Sequence, residues 1–270
     1  MEGLGAWLGR IGLRLMTALV LAFIYVPLLL VIVYAFNDNL VATWPPRGFT
    51  LEWWSRAINN PGFRGALASS LIAGLAATAT ALVLGSLAAL AVHRFRFFGR
   101  DAISFLVILP IALPGVVTGI AINSAVSTIG IPFGMLTVII GHATFCVVLV
   151  YNNLIARLRR TAPSVEEASQ DLGADTWQTF RYVTLPLVRT ALLAGGLLAF
   201  ALSFDEIIVT TFTRGGVQTL PIWIFNNYRL ANQAPIVNVV AVIAILLSVL
   251  PVYLASRLTS DTAAAAGGRT

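Results

Sequence analysis

Two adjacent carboxylates, Asp205 and Glu206, stand in the apolar segment LSFDEIIVTTFT at residues 202–213. Ionisable residues at membrane depth are costly and usually have a function. A carboxylate that faces a transport path would attract a cationic substrate; the same pair could instead bind a proton or ion, or simply meet headgroups. Asn123 is a further polar candidate for the path. His142 either lines the path or hydrogen-bonds a neighbouring helix.

A second acidic group lies in PSVEEASQDLGADTW at residues 163–177, which holds four of the eleven acidic residues: Glu166, Glu167, Asp171 and Asp175. A helix start is indicated by Ser164 followed three residues later by Glu167, which fits a capping box, with Pro163 just ahead. Gly173 suits the left-handed residue that ends such a helix. Asp175 can then cap a second helix over 176–182, which Leu185–Pro186 ends, and a proline at a helix start can open the fifth span. Neither short helix is stable alone in water, so this unit needs a partner.

The chemistry that the chain lacks is equally informative. It contains 17 Arg and no Lys, so it holds no intact Walker A motif, whose lysine reaches the nucleotide phosphates. Clusters of His, Cys and carboxylates with metal-ligand spacing are absent from the sequence. The single Cys146 cannot form an internal disulfide. We therefore expect a protein that is not an enzyme and needs no cofactor, metal or nucleic acid.

The elements that position these residues are apolar helices. The chain is 58% hydrophobic and only 10% charged, far below the roughly 25% of soluble domains. Runs of about 20 apolar residues span a bilayer as helices. Six such runs are present: Leu13–Phe36, Ala66–Val92, Ile103–Val126, Phe133–Asn153, Val188–Phe212 and Ile236–Leu258. The fold class is therefore an all-α polytopic membrane protein with about six spans and a cytoplasmic helix–Gly–helix loop.

The arginines orient these spans. Twelve of the 17 fall on one side of a six-span model, which the positive-inside rule places in the cytoplasm together with both termini. Residues 1–270 then form one transmembrane domain, with a cytoplasmic loop at 154–187 and a disordered tail at 259–270. On the outer side, Trp53 and Trp54 of LEWWSRAI predict a short interfacial helix, whereas TLPIWIF dips into the membrane or lies on its surface.

Two further patterns describe the spans themselves. Pro110 and Pro114 each remove a backbone donor from the third span, which predicts kinks there. Interrupted helices either line cavities or pack against other helices. The small residues of Gly74–Gly85 in the second span predict a helix-packing face.

The segment EEASQDLGADTWQTFRYVTLPL resembles the EAA loop of bacterial ABC-importer permeases. The residues at the motif positions are Glu167, Ala168, Gly173, Val183, Leu185 and Pro186, and Ser169 stands where a second alanine is usual. The resemblance implies coupling helices that dock into a groove on a separate ATPase subunit. The residues that it assigns to coupling are Glu166, Glu167, Ala168, Asp171, Gly173, Leu185 and Pro186.

Nearly the whole chain resembles the second permease subunit of spermidine/putrescine importers, through FNDN, GFTLEWW, LPIALPGVVTGIA, GHATFC, LSFDEIIVTTFT and TLPIWIF. Phe204 and Glu206 depart from the leucine and aspartate that are frequent there. The resemblance implies a bacterial inner-membrane complex with a second permease, two ATPase copies and a periplasmic or lipid-anchored binding protein. Putrescine, spermidine and γ-aminobutyrate-like cargoes stay open.

Three other function classes account for part of the sequence. An ion-coupled secondary transporter would use Asp205 or Glu206 as its ion site, but such proteins commonly have more spans built as repeats. A membrane-embedded enzyme would need carboxylates that converge across a cleft, which adjacent residues on one helix seldom do. A purely structural scaffold would not need Asp205.

Overall fold

The computed structural model describes residues 2–40, 43–162, 164–230 and 232–267, and Pro163 of the predicted helix start lies outside them. Over these residues the regular structure is helical, apart from an isolated antiparallel bridge between Asn37 and Phe49. The elements in chain order are α1 (Glu2–Tyr34), α2 (Glu52–Ile58), α3 (Pro61–Arg94), α4 (Arg100–Ala112), α5 (Gly115–Ile129), α6 (Met135–Leu158), α7 (Ser164–Asp171), α8 (Thr176–Thr179), a π-helical segment (Phe180–Thr184), α9 (Leu185–Phe204), α10 (Ile208–Thr213), α11 (Leu220–Asn227) and α12 (Ala234–Gly267).

Five continuous helices are long and apolar enough to cross a bilayer: Gly9–Tyr34, Pro61–Arg94, Met135–Leu158, Thr176–Phe204 and Ala234–Leu258. The pair α4 and α5 raises the number to six if it counts as one broken span. The predicted all-α polytopic fold with about six spans is therefore confirmed. Several helices extend beyond the apolar runs, because backbone hydrogen bonding continues into the flanking polar residues. The fifth span differs most, since it begins at Thr176 and ends at Phe204 instead of running from Val188 to Phe212.

The third span was predicted as one kinked helix, and that prediction is wrong. The segment consists of two helices, α4 and α5, and the chain direction bends by 109° between them. Leu113 is extended, with φ −83° and ψ 146°, because the ring of the following Pro114 disfavours helical backbone before it. Pro114 then precedes the first residue of α5. Pro110 lies inside α4 without breaking it, so the interruption belongs to the second proline alone.

The described contacts divide the chain into two compact units, Met1–Phe63 with Ile224–Ala244 and Arg64–Trp223 with Ile245–Thr270, so the single domain over 1–270 stays a prediction. In the second unit, α6 is the central helix. One apolar cluster joins α6 to α3, α9 and α10, and another joins α6 to α3 and α9. A Cβ added at Gly85 would lie 2.9 Å from the carbonyl oxygen of Val147, so α3 and α6 pack backbone to backbone there. The small-residue face predicted for the second span is confirmed.

In the first unit, the side chains of residues 12–29 on α1 are exposed, as expected for an apolar helix that contacts lipid. The short helix predicted around LEWWSRAI is confirmed as α2. Trp53, however, is a buried residue and not an interfacial anchor: it is 5% exposed and its Nε1–H donates to the carbonyl oxygen of Asn37 at 2.8 Å. An indole that finds a backbone acceptor can be buried, and sequence alone does not show the acceptor.

The last helix, α12, continues to Gly267, beyond residue 259 where the disordered tail was expected to begin, and that tail stays a prediction. Four consecutive alanines, residues 263–266, have the highest intrinsic helix propensity and extend the helix beyond its apolar part. Residues 268–270 lie outside the described part of the chain.

Candidate functional site

The acidic pair lies in a break between two helices. The fifth span was predicted to continue through it, and that prediction is wrong because α9 ends at Phe204 and α10 begins at Ile208. The Glu206 carboxylate accepts the backbone N–H of Val209 at 2.8 Å, which caps α10 and competes with continued helix. Asp205 has φ −96° and ψ 2°, outside regular helix, so the two side chains are not related by helical geometry.

The two carboxylates therefore have different environments. Glu206 is half-buried and its oxygen is engaged in capping. Asp205 is exposed, and among the described residues no hydrogen-bond donor or cation pairs with its side chain. A carboxylate without an internal partner is available to a cation from outside the chain, so Asp205 is the better candidate of the pair.

His142 braces this break. Its Nδ1 lies 2.7 Å from Ser203 Oγ on α9, and its Nε2 lies 2.8 Å from Thr210 Oγ1 on α10. The side chain is 1% exposed. Of the two possibilities that the sequence left open, the structure has the hydrogen bond to neighbouring helices, with one bond on each side of the break.

Two further polar side chains hold α10 in place. Asn123 on α5 donates its Nδ2–H to the carbonyl oxygen of Phe212 at 2.6 Å. Thr137 on α6 donates its hydroxyl to the carbonyl oxygen of Thr213 at 2.6 Å. These bonds engage carbonyls near the C-terminus of a short helix, which lack partners within the helix. The sequence pointed to Asn123 but not to Thr137, since a threonine near the start of an apolar helix is unremarkable.

At the other end of α9 lies the predicted coupling loop. The helix α7, with Glu166 and Glu167 in its first turn, is present as predicted. Gly173 has φ +87°, the left-handed conformation expected at the helix end. The carboxylate of Asp175 accepts the backbone N–H of Gln178 at 2.8 Å, and the Gln178 side chain accepts the N–H of Asp175 at 2.9 Å. The predicted cap of the second helix is therefore confirmed, as a reciprocal capping box.

The end predicted for the second helix is wrong. The chain does not leave the helix at Leu185–Pro186 but runs from α8 through the π-helical segment into α9. The N–H of Leu185 donates to the carbonyl oxygen of Phe180, five residues earlier. Pro186 has no N–H to place and lies in the first turn of α9, a position that proline tolerates. The wider π turn thus lets the helix continue where the motif was expected to stop it.

The residues predicted for coupling fall into two sets. Glu167, Ala168 and Asp171 are exposed on α7, and Gly173 and Pro186 are exposed as well. Glu166 and Leu185 are partly buried, and Glu166 accepts hydrogen bonds from two residues that the resemblance did not assign to coupling. These are Arg94 at the end of α3, outside the loop, and Thr184 in the π-helical segment, within the loop. Local sequence carried no signal for Arg94, because it lies 72 residues away from Glu166.

The coupling loop also presents apolar side chains to its surroundings. Four of them are exposed by 42–89%: Val165, Leu172, Trp177 and Tyr182. Exposure of large apolar side chains to water is unfavourable, and exposed apolar patches are typical of interaction surfaces. The loop and the acidic break do not form one site, because the 20 residues of α9 separate them by about 30 Å.

Over the residues that the structure describes, no group of three or more His, Cys, Asp or Glu side chains could hold a metal ion. A cavity of about 290 Å³ opens beside α7. Its polar lining includes Arg94, Glu166, Glu167, Gln170 and Thr184. The arrangement as a whole offers an exposed carboxylate in a helix break and, separately, a capped helical loop with an open surface.

Comparisons with known proteins identify the family of the chain. The profile of the family described as binding-protein-dependent transport system inner membrane component matches residues 81–262. The putrescine transport system permease protein PotI of Escherichia coli (strain K12) is 37% identical over 229 residues, which cover 81% of this chain and 80% of PotI. The spermidine/putrescine transport system permease protein PotC of the same strain is 32% identical over 248 residues, covering 91% and 92%.

The fold is also similar to that of solved transporters. A chain from the crystal structure of a bacterial ABC transporter for the acidic polysaccharide alginate aligns with a TM-score of 0.71 at 17% identity, covering 95% of this chain and 96% of that one. A chain from an amino acid ABC transporter with histidines aligns with a TM-score of 0.60 at 18% identity, covering 79% and 100%. At these identities the likeness concerns the fold alone.

Proposed function

The chain belongs to the family of inner-membrane components of binding-protein-dependent transport systems and is a permease subunit of an ABC importer, and from this premise we propose that it imports a polyamine-type cation. The observation that carries the choice of cargo is the 37% identity to a protein named as a putrescine permease, extending over 81% of the chain. Putrescine and spermidine each carry more than one ammonium group. Their path must therefore lack strong positive charge and offer carboxylates or other oxygen atoms that accept hydrogen bonds from ammonium groups.

The acidic break supports this cargo class physically. Asp205 is exposed and has no partner among the described residues, so its negative charge is free to attract an ammonium group. The neighbouring Glu206 is committed to capping α10. One available carboxylate favours a cation over an anion at this point of the path, and Asn123 and His142 act by holding the break around it.

The coupling loop supports a partner that hydrolyses ATP. The helix cap at Asp175 and the left-handed conformation of Gly173 make the loop rigid. A rigid loop transmits motion from a partner to the spans, whereas a flexible loop does not. Its exposed apolar side chains, together with Glu167, Ala168 and Asp171, form the proposed ATPase contact. The complete importer then contains a second permease subunit, two copies of the ATPase and a periplasmic or lipid-anchored binding protein.

This assignment requires the coupling loop and both termini to lie in the cytoplasm, as the distribution of arginines favours. ATP-driven closure of the ATPase pair moves the loop, and the spans alternate between inward-open and outward-open arrangements. The chain performs no covalent chemistry in this cycle. Each partner acts by stabilising one of the two arrangements. The family membership does not favour the ion-coupled alternative.

The experiment that tests the cargo is ATP-dependent uptake by the reconstituted complex with its own binding protein. Radiolabelled putrescine is competed with spermidine, with zwitterionic γ-aminobutyrate and with a neutral diol of the same length as putrescine. The proposal expects both polyamines to compete and the neutral diol to have no effect. ATP-dependent uptake of labelled γ-aminobutyrate by the same complex, with no uptake of labelled putrescine or labelled spermidine, would reject a polyamine-type cargo.

A further inference from the structure

The helix α7 has an unusual attachment to the rest of the chain. None of its residues is buried, so apolar packing contributes little to its position. An isolated helix of eight residues is also unstable in water. Its place must therefore depend on polar contacts. Two side chains three residues apart on one face of α7, Glu166 and Ser169, make such contacts with the helix that follows.

Glu166 takes part in a closed triangle of hydrogen bonds. Arg94 Nη2 donates to Glu166 Oε2 at 2.7 Å and lies 3.2 Å from Thr184 Oγ1. The Thr184 hydroxyl donates to Glu166 Oε1 at 2.5 Å. The charged side chains are only 24% exposed and Thr184 is 1% exposed. A charge-assisted pair that is mostly withdrawn from water is screened far less than a surface pair.

The π-helical segment explains how one helix meets both residues of α7. Ser169 Oγ lies 3.1 Å from Thr179 Oγ1, while Glu166 contacts Thr184. Residues five apart in an α-helix point about 140° away from each other at 100° per residue, so Thr179 and Thr184 could not both face α7. The five-residue hydrogen bond from Leu185 to Phe180 widens this turn and brings the two hydroxyls to one side.

We propose that Arg94 and Thr184 are positioning residues for the coupling helix α7, and that they tie its motion to α3 as well as to α9. Motion delivered at α7 then reaches two spans together: α9 through the continuous π-helical connection, and α3 through the Arg94–Glu166 ion pair. Without the pair, α7 would still contact its partner but would move independently of α3. This inference rests on the proposed function and adds a residue outside the coupling motif.

The first test measures the position of α7 without requiring transport. Trypsin cleaves after Arg159, Arg160 and Arg181, which are exposed on both sides of α7, and the full chain in detergent micelles is the substrate. A charge-assisted hydrogen bond shifts an equilibrium about tenfold, so Arg94→Gln and Glu166→Gln should each raise cleavage about tenfold. Arg94→Lys, which keeps the charge, should restore most of the protection, and Thr184→Val should raise cleavage less.

The matched control is Arg96→Gln, which removes an exposed arginine two residues away from Arg94. Cleavage in Arg94→Gln that equals cleavage in Arg96→Gln would overturn the inference, whatever the transport results. Greater cleavage in Arg94→Gln alone supports it. This arm does not depend on ATP hydrolysis, so it separates the role of Arg94 from the assignment of the chain as a permease.

The second test measures coupling in the reconstituted complex. The number of substrate molecules taken up per ATP hydrolysed should fall at least about threefold in Arg94→Gln, recover in Arg94→Lys, and stay at the wild-type value in Arg96→Gln. A purely structural role would lower uptake and hydrolysis together and leave this ratio unchanged, which would contradict the proposal. If ATP drives no uptake in the wild-type complex, the proposed function is rejected. The trypsin experiment would still show whether Arg94 holds α7 in place.

Discussion

The close contact between α3 and α6 predicts opposite outcomes for one substitution at two positions of the same helix. An alanine Cβ at Gly85 would lie 2.9 Å from the carbonyl oxygen of Val147 and 3.0 Å from Val150 Cβ. A carbonyl oxygen held in a helix cannot retreat, so overpacking here costs about 1–3 kcal/mol. At Gly65, also on α3, an added Cβ meets nothing within 4 Å. Both substitutions gain about 1 kcal/mol of helix propensity, which cancels in the comparison.

Gly85→Ala should therefore be less stable than Gly65→Ala by about 1–3 kcal/mol, the overpacking term alone. The measurement is the free energy of unfolding in a titration of the purified protein with sodium dodecyl sulfate, followed by the fluorescence of its six tryptophans. Gly65→Ala should equal or exceed the wild type. Equal stability of the two variants would show that α3 and α6 do not approach each other as closely as described, and would refute the reasoning.

Three further predictions concern the acidic break and the coupling loop. Asp205→Asn should raise the KM for a dicationic substrate about fivefold, as expected for loss of an exposed charge worth about 1 kcal/mol, whereas Asp101→Asn should not; equal KM values in uptake assays would contradict this. His142→Leu removes the bonds to Ser203 and Thr210, at about 0.6 kcal/mol each in a membrane, and should lower the free energy of unfolding by about 1 kcal/mol; wild-type stability would exclude a brace. Asp175→Ala should remove the cap of α8, at about 0.5–2 kcal/mol, and speed tryptic cleavage after Arg181; an unchanged rate would count against the cap.

Much of the fold follows from local patterns. Apolar runs of about 20 residues indicate membrane helices without reference to tertiary contacts, because the bilayer sets their length. The conformation of Gly173 and the cap at Asp175 could be predicted for a similar reason. Each depends on backbone geometry within a few residues, and residue type alone decides which conformation is favourable there.

The helix breaks could be anticipated only in part. Two prolines in the third span predicted kinks on steric grounds, but their positions did not show that Pro114 alone would separate the helices. The break after Phe204 has no proline or glycine within it. It depends on the Glu206 side chain accepting the N–H of Val209 and on bonds from α5 and α6 to the end of α10, which bring residues 76 and 89 positions apart together.

The contacts of the coupling loop were the least accessible from sequence. The motif identified the loop and its exposed residues, whereas Arg94 is 72 residues from its partner and resembles any other arginine near a span. The π-helical segment has no residue signature either. Hydrogen bonds from Thr179 and Thr184 to α7 accompany the π turn. Because these are tertiary contacts, local helix propensity alone would predict an ordinary α-helix at the same place.

The central claim is that this chain moves its cargo only when a separate ATPase drives the loop around α7. The most direct test is putrescine uptake into proteoliposomes that contain this chain, its partner permease and the loaded binding protein, with the ATPase and ATP either supplied or omitted. The account predicts accumulation only when both are present, and loss of accumulation when ATP is replaced by an analogue that is not hydrolysed. Accumulation without the ATPase, driven by a proton or sodium gradient, would contradict it.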